Sequence, residues 1–221
     1  MDLSSLQIKE RPKSLVQIAQ EAIRKGIIQK EFKLGQSLKE ASLARPLQIS
    51  NTPVREALSL LKAEGLVISV LHKGYRVFTM NQEELIEFCE LRFTLESQAL
   101  RYGIERDHKG LAKSLKGIVE KMQDFQDEEH REEYLSLDTQ FHQAFFKACK
   151  NSFLERHYQS INSMIETMRH YISISNDATK KSLDNHSEIT KLIIRGNTDQ
   201  AIKSLEDHIV NWSRRSIIDL S

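Results

Sequence analysis

Cysteine and proline are scarce in this 221-residue chain, with two of the first and three of the second. The thiols, Cys89 and Cys149, lie 60 residues apart. That spacing excludes a zinc ribbon, a redox pair and a disulfide scaffold, and predicts two reduced, buried side chains. No apolar run approaches the roughly 18–20 residues that cross a bilayer, so no membrane span is expected. The first eleven residues alternate polar and apolar side chains without the apolar core of a signal peptide, and a cytoplasmic location is the corresponding expectation. Glycine is modest too, at 8 residues against 39% hydrophobic and 29% charged. This balance excludes collagen and disordered polymer, and a chain of this length can bury an adequate core without staples.

What is present is unevenly placed. Pro12, Pro46 and Pro53 are the only prolines, so residues 54–221 carry none and are free to be helical throughout. The net charge of +1 hides a basic first part: residues 1–80 hold 13 Lys/Arg against 7 Asp/Glu, and residues 81–221 hold 19 against 24. A basic segment joined to an acidic remainder points to a polyanion-binding module coupled to something else. The boundary is expected near Met80, giving domains 1–80 and 81–221, because Asn81-Gln82-Glu83-Glu84 opens a helix with acidic residues at its positive end.

Three helices and a hairpin are predicted before that boundary. Val16, Ala19, Ala22, Ile23 and Ile27 recur at helical spacing; residues 38–43 make a short second helix and residues 54–63 a third, closed by Gly65. Thr52 is expected to cap the third helix and Pro53 to take its first position. Residues 67–71 and 75–79 suit two strands around His72-Lys73-Gly74. The order is that of a winged helix-turn-helix, in which the third helix enters a major groove by its amino-terminal end and the basic hairpin tip reaches the adjacent backbone.

The stretches Leu38-Lys39-Glu40-Ala41-Ser42-Leu43-Ala44, Leu47-Gln48-Ile49-Ser50-Asn51-Thr52-Pro53-Val54-Arg55-Glu56-Ala57-Leu58 and Leu61-Lys62-Ala63-Glu64-Gly65-Leu66-Val67 resemble the DNA-binding domain of GntR-type transcription regulators. The chain departs from that family's usual pattern at Leu34, Pro46, Gln48 and Asn51, the last standing where Arg is usual. The resemblance implies double-stranded DNA as partner. It implies contacts from Ser50, Asn51, Thr52 and Arg55, and from Lys73, Gly74 and Arg76 in the wing. The alternative for Arg55 is a solvated partner of its helix neighbours, and for the wing residues an ordinary basic turn.

Beyond Met80, apolar residues at three- and four-residue spacing predict about six helices, over 85–104, 111–125, 134–149, 153–174, 183–194 and 198–218. Short breaks between them favour an antiparallel bundle, and the fold class is mostly α. Some residues violate the pattern. Asp138 and His142 fall in the apolar arc of their helix, among Leu135, Phe141, Phe145, Phe146 and Cys149, where an unpaired Asp costs several kcal/mol. His186 is centred on Leu183, Ile189, Ile193 and Ile194, and His208 on Ala201, Leu205 and Trp212. Both lie 11 residues from Asn197, on opposite sides of a Gly196-Asn197 turn. In an antiparallel pair this sets them at one height, about 16 Å from the turn. One carboxylate and three imidazoles suit zinc first, and also nickel, manganese or iron. Taken singly, each of these residues is a satisfied core group. His72, His108, His130, His157 and His170 are assigned no metal role, the last four being read as partly exposed helix residues.

The same half of the chain resembles the FCD ligand-binding domain of FadR-like GntR regulators. The matching segments are Glu90-Leu91-Arg92 with Leu95-Glu96, Asp138 through Phe141-His142, Lys150-Asn151, Asn185-His186, and Gly196-Asn197 through Asp207-His208-Ile209. In that domain an Asp and three His hold a divalent metal, which implies Asp138, His142, His186 and His208 here. The length suits its six-helix branch.

Arg92 breaks its own pattern, flanked on the helical wheel by Leu85, Phe88, Leu95 and Ala99. It is read either as an internal partner of Glu96 or as a fork for the carboxylate of an organic acid. Together these features point to a homodimeric, metabolite-responsive regulator, a repressor of a palindromic operator, that releases DNA when a small carboxylate-bearing metabolite binds near the metal. The alternative is a metal-dependent enzyme of small organic acids with an incidental basic segment. An enzyme would need a positioned acid or base, and around the four residues only Glu96 offers one.

Overall fold

Ser14 caps the first helix reciprocally: its hydroxyl accepts from Gln17 N–H while the Gln17 side chain accepts from Ser14 N–H, an arrangement worth about 1 kcal/mol. The computed structural model describes residues 13–172, 176–211 and 213. The chain divides into two units, Met1–Phe78 and Thr79–Ser221, two residues short of the expected boundary.

In the first unit, α1 (Leu15–Ile28) buries Ala19, Ile23 and Ile27, and α3 (Asn51–Ala63) buries Val54, Ala57, Leu58 and Leu61 against it. Between them lie the two-residue strand β1 (Ser37–Leu38) and α2 (Glu40–Leu47). Leu38, expected in a helix, is therefore in a strand, and α2 runs later than expected. It ends one residue after Pro46, which has no N–H to continue the ladder. Gln48 follows at φ 55° and ψ 38°, a left-handed conformation that glycine adopts more easily.

The start of α3 also differs from expectation. Ser50 is the N-cap, without a side-chain bond, and neither Thr52 nor Pro53 takes the position expected of it. Pro53 still lies in the first turn, where a missing N–H loses no intrahelical bond. The strands β2 (Val67–Val70) and β3 (Gly74–Val77) form the hairpin, and β1 adds to β3, giving the order β1-β3-β2 with Leu38 opposite Tyr75 and Val67 opposite Val77. The tip turns through His72 at φ 59° and Gly74 at φ 80°.

The second unit is a helical bundle. Asn81 and Glu84 form a reciprocal cap for α4 (Gln82–Met122), as the acidic opening suggested. Two of the expected helices are joined in α4, and the expected break contracts to Asp107, at φ −154° and ψ 53°. Its carboxylate accepts from Gly110 N–H, the bond of an N-cap, so Asp107 closes one helical segment and starts the next. Then come α5 (Arg131–Cys149), α6 (Ser152–Ile172), α7 (Asn176–Ile194) and α8 (Thr198–Glu206), which runs into a π-helical turn, Asp207–Asn211. α4 packs against each of α5, α6, α7 and α8. Cys89 and Cys149 are buried free thiols. Residues 173–174 and 214–218, expected in helices, and Trp212, expected on the His208 stripe, lie outside the described residues. No helix among the described residues is long and apolar enough to cross a membrane.

Candidate metal centre and nucleic-acid interface

Asp138 and His142 sit one turn apart on the buried face of α5, with Leu135, Phe141 and Phe145 as apolar neighbours. α7 brings His186, and the Arg195–Asn197 turn reverses the chain through Gly196 at φ 76°. His208 then arrives in the π-helical turn, where one extra residue per turn rotates the side chains beyond it relative to an ideal helix. The four residues offer ligand atoms that all lie within 4.8 Å of one another. The imidazole centroids of His186 and His208 are 4.6 Å apart, and His142 is 5.3 Å and 5.4 Å from them. Equal spacing from Asn197 thus does bring the two histidines to one height.

Hydrogen bonds set the ring orientation. His142 Nδ1 is 2.5 Å from Glu96 Oε2. A carboxylate only accepts, so the proton lies on Nδ1 and the Nε2 lone pair faces the cluster. This is the carboxylate–histidine arrangement that orients metal ligands. Arg92 Nε donates to the other Glu96 oxygen at 2.7 Å, and its Nη2 donates to His142 Nε2 at 3.1 Å. Asn185 amide nitrogen is 3.3 Å from His208 Nδ1. His186 Nε2 lies 3.5 Å from Asp138 Oδ1, and Arg169 Nε lies 2.6 Å from Asp138 Oδ2, a close charge contact.

Burial holds His142 well below the ordinary imidazole range, and the Arg92 and Arg169 charges add to this. His186 is pushed down to about 3 by burial and then by the same two cations. His208 is lowered by burial and then by His186. Burial works to raise the Asp138 pKa, but the charge of Arg169 and the other neighbours outweighs it and the carboxyl is lowered. Three neutral imidazoles and one carboxylate are the protonation states that ligate a divalent cation, so the donor set fits such a group.

Arg92 is the internal partner of Glu96 expected in one of its two readings, and its guanidinium also reaches His142. Glu96 is completely buried. Arg169, on α6, carries a buried charge that sequence reasoning missed. The signal was present, since Arg169 lies 11 residues after Tyr158 and 4 after Ile165 on the buried stripe of α6. His170 was expected to be partly exposed; it is buried, with Nδ1 3.6 Å from Glu132.

In the first unit, Ser50, Asn51, Thr52 and Arg55 are exposed at the amino-terminal end of α3, and Lys73, Gly74 and Arg76 are exposed on the hairpin. The scaffold beneath α3 is fully apolar, which leaves these polar groups facing water. Arg55 is held by neither Glu56 nor Ser59. Glu40 of α2 takes its guanidinium in a two-pronged pair, with Nε to Oε1 at 2.9 Å and Nη2 to Oε2 at 2.8 Å.

A helix-turn-helix with a three-stranded wing, followed in the chain by a helical bundle with a His/Asp cluster, defines a class of two-domain DNA-binding regulators. Similarity to known proteins places the chain in its family. Residues 15–77 match the bacterial regulatory proteins of the gntR family, and residues 87–211 match the FCD domain. The chain is 30% identical over 187 residues to the "Probable D-xylose utilization operon transcriptional repressor" of Paenarthrobacter nicotinovorans, covering 84% of this chain and 81% of that one. It is 25% identical over 198 residues to the gluconate operon transcriptional repressor of Bacillus subtilis (strain 168), covering 87% and 81%. A crystal structure of a GntR transcriptional regulator from Rhodococcus sp. RHA1 superposes with a TM-score of 0.75 at 21% identity, over 92% of this chain and 97% of that one. The chain belongs to the GntR family of transcription regulators and carries the FCD domain. It is a DNA-binding regulator, and the enzyme alternative is set aside.

Proposed function

We propose that this regulator is a homodimeric repressor whose FCD domain, residues 81–221, holds a divalent metal on Asp138, His142, His186 and His208 and binds a small carboxylate-bearing metabolite beside it. The observation that carries this reading is the convergence of four ligand atoms within 4.8 Å from three separate segments. Zinc suits the donor set first; nickel, manganese and iron also fit it. A bound cation would supply Lewis-acid attraction for a carboxylate oxygen. The chain's own residues do the rest. Glu96 orients His142, and Arg92 offers a planar fork to the carboxylate once ligation claims the His142 lone pair that it now bonds.

Residues 1–80 are the DNA-binding domain in this reading. Ser50, Asn51, Thr52 and Arg55 meet base edges and phosphates from the end of α3, while Lys73, Gly74 and Arg76 meet the backbone beside the groove. A twofold dimer implies a palindromic operator, and repression follows the named roles of the relatives. A cytoplasmic location accords with DNA as the partner. Two measurements test the proposal. Selection of bound genomic fragments by the purified protein should return one palindromic motif at physiological salt, and elemental analysis should find about one divalent ion per chain that is lost in the His142→Ala, His208→Ala variant. No shared motif, or unchanged metal in the variant, rejects the corresponding half.

A further inference from the structure

The charges buried around the histidine cluster cancel among the described residues. Arg92 and Arg169 are cations, Glu96 and Asp138 are anions, and the pairs Arg92–Glu96 and Arg169–Asp138 lie at 2.7 Å and 2.6 Å. The three imidazoles are neutral. A divalent cation on this set leaves two positive charges in excess, in surroundings where Glu96, His142 and His186 have no exposure. Uncompensated charge at such depth is expensive, so the occupant that completes the site carries negative charge to match.

Arg169 supplies a second, independent observation. Its Nε meets Asp138, its Nη1 donates to Thr139 Oγ1 at 2.9 Å, and its Nη2 is buried without a hydrogen-bond acceptor among the described residues. The residue is 7% exposed. A buried guanidinium with an unsatisfied nitrogen is a rare and costly feature, and a carboxylate oxygen is the acceptor that bonds such a charged N–H most strongly. Arg92 contacts His142 and Arg169 contacts Asp138. These two contacts are one turn of α5 apart, a rise of about 6 Å for four residues.

We infer that the effector is a short dicarboxylate, with one carboxylate at Arg92 and the other at Arg169, so that Arg169 is the residue that selects dianions over monoanions. This deepens the proposed function and rests on its metal-and-carboxylate reading. The span favours a chain of roughly four or five carbons, set by that single helical turn.

The test is calorimetric titration of the full-length, zinc-loaded protein with matched pairs, succinate against butyrate and glutarate against pentanoate, and with inorganic phosphate as a compact dianion. Metal content is measured for each variant so that affinities are compared per loaded site. In the wild type the better dicarboxylate should bind at least tenfold tighter than its monocarboxylate partner and tighter than phosphate. In Arg169→Gln and in Arg169→Lys, the second keeping the charge beside Asp138 but losing the Nη2 donor, that ratio should fall below about threefold. Equal binding of dicarboxylates and monocarboxylates by the wild type overturns the inference, as does phosphate binding as tightly, or a preference that survives both Arg169 variants. These results leave the carboxylate-responsive reading standing. If no carboxylate binds, or if monocarboxylate affinity ignores Arg92→Ala, that reading falls and this one with it.

Discussion

Two arginine–carboxylate pairs of similar separation serve the two units differently. Arg55 and Glu40 meet at 2.8 Å with 67% of the arginine side chain in water, whereas Arg169 and Asp138 meet at 2.6 Å with 8% exposed. In water such a pair is screened and contributes little to folding. Arg55 can thus exchange Glu40 for a nucleic acid without loss of the fold. Buried, either partner left alone is an uncompensated charge. The helical unit therefore ties its chemistry to its stability, while the DNA-binding unit keeps an apolar scaffold and carries its chemistry outside.

Deleting one carboxylate from each pair tests this contrast most severely. Asp138→Ala strands Arg169 and should cost about 3–5 kcal/mol in urea unfolding, metal or no metal. Glu40→Ala should leave the urea midpoint where it was. A cost below about 1 kcal/mol for Asp138→Ala would mean that Arg169 finds water or another partner, and the buried-charge account would fail.

A pH series probes the buried side next. In the metal-stripped protein the folded pKa of His186 is about 3, against about 6.5 for an unfolded imidazole. Between those values the unfolded chain binds a proton that the folded chain refuses. Stability is therefore full above pH 6.5 and falls as the pH drops. His186 alone should remove about 2 kcal/mol by pH 5, and the lowered pKa values of His142 and His208 act in the same direction. Restoring a divalent ion at a hundred times its dissociation constant should add about 2.7 kcal/mol at neutral pH. His186→Asn should flatten the acid limb; an unchanged slope would show that the imidazole is protonated in the fold.

On the exposed side the effects should appear in binding alone. Arg55→Ala should weaken operator binding roughly tenfold to a hundredfold, the scale of one good base contact, with no change in melting temperature. Glu40→Gln removes the competing carboxylate charge and should leave binding equal or tighter in a gel-shift titration. Weaker binding by Glu40→Gln would show instead that Glu40 must hold Arg55 in place for recognition.

The same contrast explains what the sequence revealed. Polar residues in an apolar stripe stand out on a helical wheel, which is why Asp138, His142, His186, His208 and Arg92 are legible from residue spacing alone. Arg169 obeyed the same rule on α6 but lacked a second residue at a matching height to raise it above a lone core arginine. The recognition helix was legible because Val54, Ala57, Leu58 and Leu61 repeat at helical spacing. The strand β1 was not, since two residues carry no period and its pairing with β3 is made across nearly forty residues of chain. The break around Asp107 was legible, since the helical pattern stops at residue 104 and resumes at 111; its contraction to a single residue was not, because that rests on the local bond to Gly110. The π-helical turn at His208 was not foreseen, because the five residues Asp207–Asn211 are too few for a change of period to show.

The smallest effect belongs to the wing. Lys73 is exposed at the hairpin tip, where its backbone N–H closes the turn on Val70 O at 2.9 Å, a bond that alanine keeps. Lys73→Ala therefore removes one side-chain charge and leaves the turn intact. If that charge meets phosphate, each half-site of a dimer loses one neutralised phosphate, and the slope of log affinity against log salt should become shallower by about 0.9 for each phosphate no longer neutralised. The weakening should be the same on the selected operator and on random duplex, because phosphate contacts carry no sequence. Fluorescence anisotropy across a salt series reads both quantities. Weakening confined to the operator would make Lys73 a reader of bases or of groove shape, and would move part of the recognition from α3 to the hairpin.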